Sequence, residues 1–163
     1  MRNYQHFGVI GGGAWGTALG EALCHAGRDV ILWARETEVV ESINAARENE
    51  KFLPGISLDA RLRATGNLEA LKVCEAWLLV APVQHTRAVC EQIKVLNAPS
   101  DVPILVCSKG IEQQKIQLPG TIVQEVLPDH PLAVLSGPTF AAEVARHQAT
   151  AITLACADKA LGE

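Results

Sequence analysis

The stretch Phe7-Gly8-Val9-Ile10-Gly11-Gly12-Gly13-Ala14-Trp15-Gly16 sets a short apolar run directly against a cluster of glycines. Beyond it, Trp15, Ala18, Leu19, Ala22, Leu23 and Ala26 recur at three- and four-residue spacing, which predicts a helix with one apolar face. Gly16 and Gly20 share a side of that helix and allow close packing on a sheet. Gly27 stands where a C′ glycine ends a helix. A strand, a Gly-x-Gly-x-x-Gly turn and a helix in immediate succession make a frame suited to a dinucleotide. Gly11 permits the tight turn, Gly13 lets the backbone approach a pyrophosphate, and Gly16 lets helix and strand touch. The helix start offers free N–H groups and the positive end of its dipole. The alternative is an ordinary glycine turn, and the strand-glycine-helix order weighs against it.

Working outward, further apolar runs recur at Val30–Ala34, Ala76–Ala81, Ile104–Cys107, Leu132–Leu135 and Ala151–Cys156. Most are apolar at successive positions, the pattern of strands covered on both faces. Helical patterns lie between most of them. A second helix is expected after Thr37, with Val39, Val40, Ile43 and Ala46 inward. A third is expected from Asn67, a good N-cap, with Leu68, Leu71 and Val73 as its apolar positions. Thr121-Ile122-Val123-Gln124 has the form of a capping box after the Pro119-Gly120 turn. Ile56–Leu58 and Arg61–Thr65 read as a small extended excursion, and Asp158 as the N-cap of a short last helix. The expected fold class is α/β, a Rossmann-like doubly wound, mostly parallel sheet with helices on both faces and right-handed crossovers.

The chain has 163 residues, 48% of them hydrophobic and 20% charged, which suits one globular domain, residues 1–163. Its net charge of −4, with no basic stripe, argues against a nucleic-acid partner. Its apolar runs are too short to span a bilayer. The start, Met1-Arg2-Asn3-Tyr4-Gln5-His6, lacks the apolar core of a signal peptide, so a cytoplasmic protein is expected. The five cysteines, Cys24, Cys74, Cys90, Cys107 and Cys156, lie at least 16 positions apart, which excludes a CxxC pair and favours buried reduced thiols. His85, His130 and His147 read as surface or cap residues rather than ligands, and no metal is expected.

Several chemically equipped residues directly follow a candidate strand. Arg35 comes after Val30–Ala34, where an acidic residue would bind a ribose 2′-hydroxyl. A guanidinium there can pair with a 2′-phosphate and favours NADP, while Glu36 leaves NAD open. Lys109, in Ser108-Lys109-Gly110, follows Ile104–Cys107 and could meet a phosphate or a polarised carbonyl oxygen. Ser136-Gly137-Pro138-Thr139-Phe140-Ala141 forms another strand-to-helix junction, either a second anion site or plain capping by Thr139. Pro82-Val83-Gln84 is a similar junction, with capping the favoured account. In a parallel sheet all these positions line one edge.

The chain resembles the N-terminal half of the bacterial-type NAD(P)-dependent sn-glycerol-3-phosphate dehydrogenase family. The resemblance rests on Gly-Gly-Gly-Ala-Trp-Gly-Thr-Ala at 11–18, Leu-Trp-Ala-Arg at 32–35, Phe-Leu-Pro-Gly-Ile at 52–56, Ser-Lys-Gly-Ile-Glu at 108–112 and Ser-Gly-Pro-Thr-Phe-Ala-Ala-Glu-Val-Ala at 136–145. It implies reversible reduction of dihydroxyacetone phosphate to sn-glycerol 3-phosphate, a phospholipid backbone, with NADP or NAD as coenzyme. Alongside the glycines Gly11, Gly13 and Gly16, it implies Ala14, Trp15, Arg35, Phe52 and Ala141 as cofactor positions. Lys109 would lie near both cofactor and substrate, and Gly137 and Thr139 near substrate. It also implies that the proton-transferring lysine belongs to a helical C-terminal domain absent from this chain, and it is compatible with a homodimer of the full-length enzyme. Rival readings are a hydroxyacyl or sugar-acid dehydrogenase, a nucleotide-sensing module without chemistry, and a flavodoxin-like domain binding FMN. On the family reading, the 163-residue chain binds nucleotide weakly and turns over little. Following NADPH oxidation in the presence of dihydroxyacetone phosphate checks this, and turnover in the usual enzyme range, on the order of 1–1,000 per second, contradicts it.

Overall fold

The computed structural model describes residues 3–162. Met1, Arg2 and Glu163 lie outside them, and with them the ends of the stretch read as lacking a leader and of the 1–163 domain. The chain runs β1 (His6–Ile10), α1 (Ala14–His25), β2 (Asp29–Trp33), α2 (Thr37–Ala46), β3 (Leu62–Thr65), a 3-10 turn (Leu68–Val73), β4 (Ala76–Leu79), α3 (Val83–Val95), β5 (Ile104–Val106), α4 (Pro119–Val126), β6 (Leu132–Ser136), α5 (Ala141–Ala145), β7 (Thr153–Cys156) and α6 (Lys159–Gly162). Seven strands form one sheet in the order β3-β2-β1-β4-β5-β6-β7. All neighbours are parallel except β6 and β7, which are antiparallel.

Apolar side chains cover both faces of the central strands. Val9, Leu32 and Leu78 join one core with Ala18, Leu19, Val39 and Ile43. Ile10, Trp77, Leu79 and Ile104 join the other with Cys90, Ile93, Ile122 and Val123. That division is the physical content of the continuous apolar runs: alternate residues bury against different helix layers. Among the described residues no helix is long and apolar enough to cross a membrane.

The turn from β1 to α1 sets the closest approach in the molecule's glycine loop. Gly11 has φ +132°, a conformation side chains resist, and its N–H donates to the Trp33 carbonyl at 3.0 Å. A Cβ on Gly16 would stand 1.9 Å from the Gly11 carbonyl oxygen, so only glycine lets the helix begin there. Gly27, at φ +83°, follows the Ala26 C-cap as expected.

Local expectations fail in instructive places. Arg61–Thr65 supplies β3, a full parallel partner of β2, whereas Ile56–Leu58 forms no strand. The element after Asn67 is a 3-10 turn, capped by the Asn67 side chain accepting from Glu69 N–H. Its threefold repeat puts Leu68 and Leu71 inward and leaves Val73 70% exposed. Ala46 is exposed too, because Arg47 at φ +55° ends α2 directly after it. Thr121 lies inside α4 rather than capping it, since Pro119 opens that helix with its fixed φ. β7 runs antiparallel to β6, with Ser136 opposite Thr153, so the link that carries the 5-residue α5 re-enters the sheet at the edge it left. β6 and β7 are partly exposed rather than sandwiched.

Gly16→Ala is expected to destabilise the fold by about 3 kcal/mol or more, because the methyl group meets backbone. Gly20→Ala meets the flexible tip of Leu62 at 2.9 Å and gains ~1 kcal/mol of helix propensity, so its net effect stays within about 1 kcal/mol of zero. Urea unfolding of both variants measures the contrast.

Candidate functional site

The order β3-β2-β1-β4-β5 places a topological switch between β1 and β4, and the loops at the carboxyl ends of these strands open a crevice there. One cleft of about 250 Å³ is lined by Gly11, Gly12, Gly13, Trp33, Arg35, Glu36, Phe52, Val80, Ala81, Pro82, His85 and Val89. A second, of about 380 Å³, is lined by Ala14, Trp15, Val80, Ala81, Pro82, Cys107, Ser108, Lys109, Thr139, Phe140 and Ala141. The two share Val80–Pro82 and so form adjoining halves of one rim. Gly16, buried in the first turn of α1, lines neither cleft. Larger depressions lie at the amino edge, around Tyr4 and Lys72, and between α3 and α4, around Arg87. Neither gathers loops from the switch point.

The glycine loop is open where a ligand would need it. A Cβ on Gly13 would meet nothing within 4 Å, whereas one on Gly12 would strike Ala34 at 2.5 Å. Gly12 therefore makes a packing demand that the glycine pattern alone did not reveal. The first turn of α1 carries no acidic residue, so nothing neutralises the positive end of its dipole. Arg35 is 71% exposed at the cleft mouth, 4.0 Å from the Glu36 carboxylate.

Asn49 is the residue that sequence reasoning missed. It is 0% exposed. Its Nδ2 donates to the Gly12 carbonyl at 2.9 Å and to Thr17 Oγ1 at 2.8 Å, and its Oδ1 accepts from Phe52 N–H at 3.1 Å. It thus ties the segment bearing Phe52 to the glycine loop. An isolated Asn in a polar stretch (Arg47-Glu48-Asn49-Glu50) gave no signal of burial.

Lys109 Nζ donates to the Gly137 carbonyl at 3.3 Å, which brings together two sequence-separated candidates. Gly137 itself packs against the start of β7, where a Cβ would stand 2.6 Å from the Ala151 oxygen. Thr139 and Ala141 line the second cleft. Thr139 does not cap α5: the N-cap is Phe140, with no side-chain hydrogen bond. Pro82 is likewise the N-cap of α3 without side-chain help.

The Lys109 loop is anchored from below. Ser108 Oγ donates to the Ala81 carbonyl at 2.6 Å. Gln84 Nε2 donates to the Ile111 carbonyl, and Gln113 N–H donates to Gln84 Oε1. Arg87 forks onto the buried Glu112 carboxylate through Nε at 2.8 Å and a terminal nitrogen at 3.0 Å, and also reaches Glu125. The Arg87 hydrogen bonds hold the Glu112 carboxyl below the usual glutamate range, and this pairing pushes the guanidinium pKa up. Hydrogen bonds from Lys115, Gln117 and Arg87 bring Glu125 down to about 2.

Burial pushes the Cys24, Cys90 and Cys107 thiols up to about 12 and Cys74 to about 11, so they stay protonated, as expected of buried thiols. His147 stacks on His25 at 3.8 Å, and His130 Nδ1 lies 2.9 Å from the Val102 carbonyl. Among the described residues no group of three or more His, Cys, Asp or Glu could hold a metal ion.

Strand order, switch-point crevice and glycine turn together define a Rossmann-type α/β domain. The family model described as NAD-dependent glycerol-3-phosphate dehydrogenase N-terminus matches residues 6–162, and the chain belongs to that family. It is 54% identical over 160 residues to a glycerol-3-phosphate dehydrogenase [NAD(P)+] of Rhodospirillum rubrum, covering 98% of this chain and 46% of that protein. The counterpart from Parvibaculum lavamentivorans is 48% identical, with 98% and 48% covered. A crystal structure of glycerol-3-phosphate dehydrogenase from Coxiella burnetii superposes with a TM-score of 0.90 at 31% identity, covering 97% of this chain and 48% of that one. The chain spans about half the length of the curated relatives it matches.

The two glutamates lend the Lys109 loop a predictable acid sensitivity. Their folded pKa values lie below the unfolded ones, so the stabilisation is complete above about pH 4.5 and is lost as pH falls towards about 2. Arg87→Ala should lower the melting temperature at pH 7 and flatten its decline across that acid window. Thermal unfolding at a series of pH values, with amide exchange of the 108–113 loop, reads both effects.

Proposed function

We propose that this chain is the coenzyme-binding domain of a glycerol-3-phosphate dehydrogenase, which reversibly reduces dihydroxyacetone phosphate to sn-glycerol 3-phosphate with NADPH or NADH. One observation carries the reading. Gly11, Gly13, Arg35 and Phe52 line one cleft, and Ala14, Trp15, Lys109, Thr139 and Ala141 line the half that adjoins it. Membership of the dehydrogenase family supports that reading of the rim.

The residues fit a dinucleotide. The free N–H groups at the start of α1 and the open space above Gly13 suit a diphosphate. Arg35 suits a 2′-phosphate and the adenine face, and Phe52 offers an aromatic wall to the same cleft. When bound, the reduced nicotinamide supplies a hydride to the substrate ketone. Lys109 holds a positive charge at the mouth of the second cleft, where it would stabilise a substrate phosphate or a developing alkoxide. Thr139, free of any capping role, and Gly137, whose carbonyl anchors Lys109, flank that charge. Trp15 and Ala141 wall the cleft and limit water there. Residues 1–163 act as one coenzyme domain in this scheme, and the proton-transferring lysine stands in a helical second domain of the whole enzyme.

Titrating the chain with NADPH, followed by nicotinamide fluorescence, tests the proposal. Saturable binding is expected, and its absence overturns the reading. Arg35→Ala should weaken NADPH about tenfold through the lost charge-assisted hydrogen bond and change NADH by less than about twofold. An equal loss for both coenzymes would remove Arg35 from the 2′-phosphate.

A further inference from the structure

A trans peptide points its C=O and its N–H in opposite directions. Among the described residues no peptide bond is cis. The Gly12 carbonyl is drawn back into the protein by Asn49 Nδ2, so the Gly13 N–H of the same peptide points the opposite way, and the space beside the Gly13 Cα is open. The next peptide is handled the same way. Thr17 Oγ1 donates to the Gly13 carbonyl at 3.0 Å and itself accepts from Asn49 Nδ2, which leaves the Ala14 N–H facing away. Thr17 N–H holds the Gly13 carbonyl in any helix of this kind. Gly12, however, precedes the N-cap and lies beyond the reach of the helical ladder. A donor from outside the helix has to hold its peptide plane, and Asn49 Nδ2 is that donor.

The other half of the amide is committed too. Asn49 Oδ1 accepts from Phe52 N–H, and the Asn49 carbonyl accepts from Leu53 N–H at 2.8 Å. The segment that carries the Phe52 wall is therefore registered against the loop opposite it by one buried amide. We propose that Asn49 is the positioning residue of the nucleotide mouth: it aims the Gly13 and Ala14 N–H groups at the diphosphate and seats Phe52 across from them. This rests on the dinucleotide reading above. It adds a residue that touches no coenzyme and acts through the peptide planes it holds.

Asn49→Asp separates this role from mere packing. The carboxylate keeps the shape and the acceptor for Phe52 N–H but cannot donate to the Gly12 carbonyl. Once protonated, its O–H can donate again. Calorimetric titration with NADP+, which withstands acid, is run from pH 8 to pH 5 on the wild type, Asn49→Ala and Asn49→Asp, each below its own melting temperature. Asn49→Ala is expected to bind about tenfold more weakly than wild type at every pH. Asn49→Asp is expected to lose as much at pH 8 and to return to within about threefold of wild type at pH 5. A folded Asn49→Ala that binds within twofold of wild type, or an Asn49→Asp whose loss does not recover on acidification, overturns the proposal. If Asn49→Ala fails to fold, the pH profile of Asn49→Asp decides alone. A wild type that does not bind NADP+ sinks the dinucleotide reading instead, which keeps the two failures apart.

Discussion

The contact between the Gly11 carbonyl and the Gly16 Cα fixes the remainder of the rim. There is no room for a methyl group between them, so α1 starts at a set distance and angle from the end of β1. That junction places the free N–H groups of the helix over the switch between β1 and β4. Strands β2, β4, β5 and β6 add their loops to the same edge: Arg35 after β2, Pro82 after β4, Lys109 after β5 and Thr139 after β6. The site is assembled by strand direction as much as by any side chain.

Position on the rim and rigidity of the rim come from different sources. Strand order delivers the residues, whereas buried polar groups hold the loops still. Asn49 does this for the glycine turn and Arg87 with Glu112 does it for the Lys109 loop. Both are charge or amide groups withdrawn from water, which is costly unless each donor and acceptor finds a partner. Among the described residues no buried side-chain nitrogen or oxygen lacks one. A polar network so satisfied orients without leaving a loop free to sample alternatives.

The architecture could be read from the chain because its signals are local and periodic. Continuous apolar runs marked β1, β4 and β5, and three- and four-residue spacing marked α1. Lys109 and Thr139, which stand in two of the family motifs, line one cleft in the structure. What escaped depended on distant partners. β3 carries the exposed Arg63 between buried Leu62 and Ala64, a half-wet edge that reads as excursion rather than strand. The antiparallel pairing of β7 with β6 is a contact between strands that no local motif announces. Asn49 and Glu112 look like surface residues until the fold brings Gly12 and Arg87 to them. Glu112 ends the Ser-Lys-Gly-Ile-Glu stretch, and its salt bridge to Arg87 lies under the Lys109 loop.

The β6–β7 pairing has a mechanical consequence. Ser136 lies opposite Thr153 in register, so the excursion that bears Gly137, Thr139 and α5 leaves and re-enters the sheet at one spot. Both feet of that arch are pinned, and its crown leans on α1. Ordering the arch carries a closure entropy that grows only slowly with its length, and the ladder below has already met it. Thr139 can therefore shift only by flexing of the arch or by unzipping of the two strands, the first a small and fast motion, the second a slow and rare one.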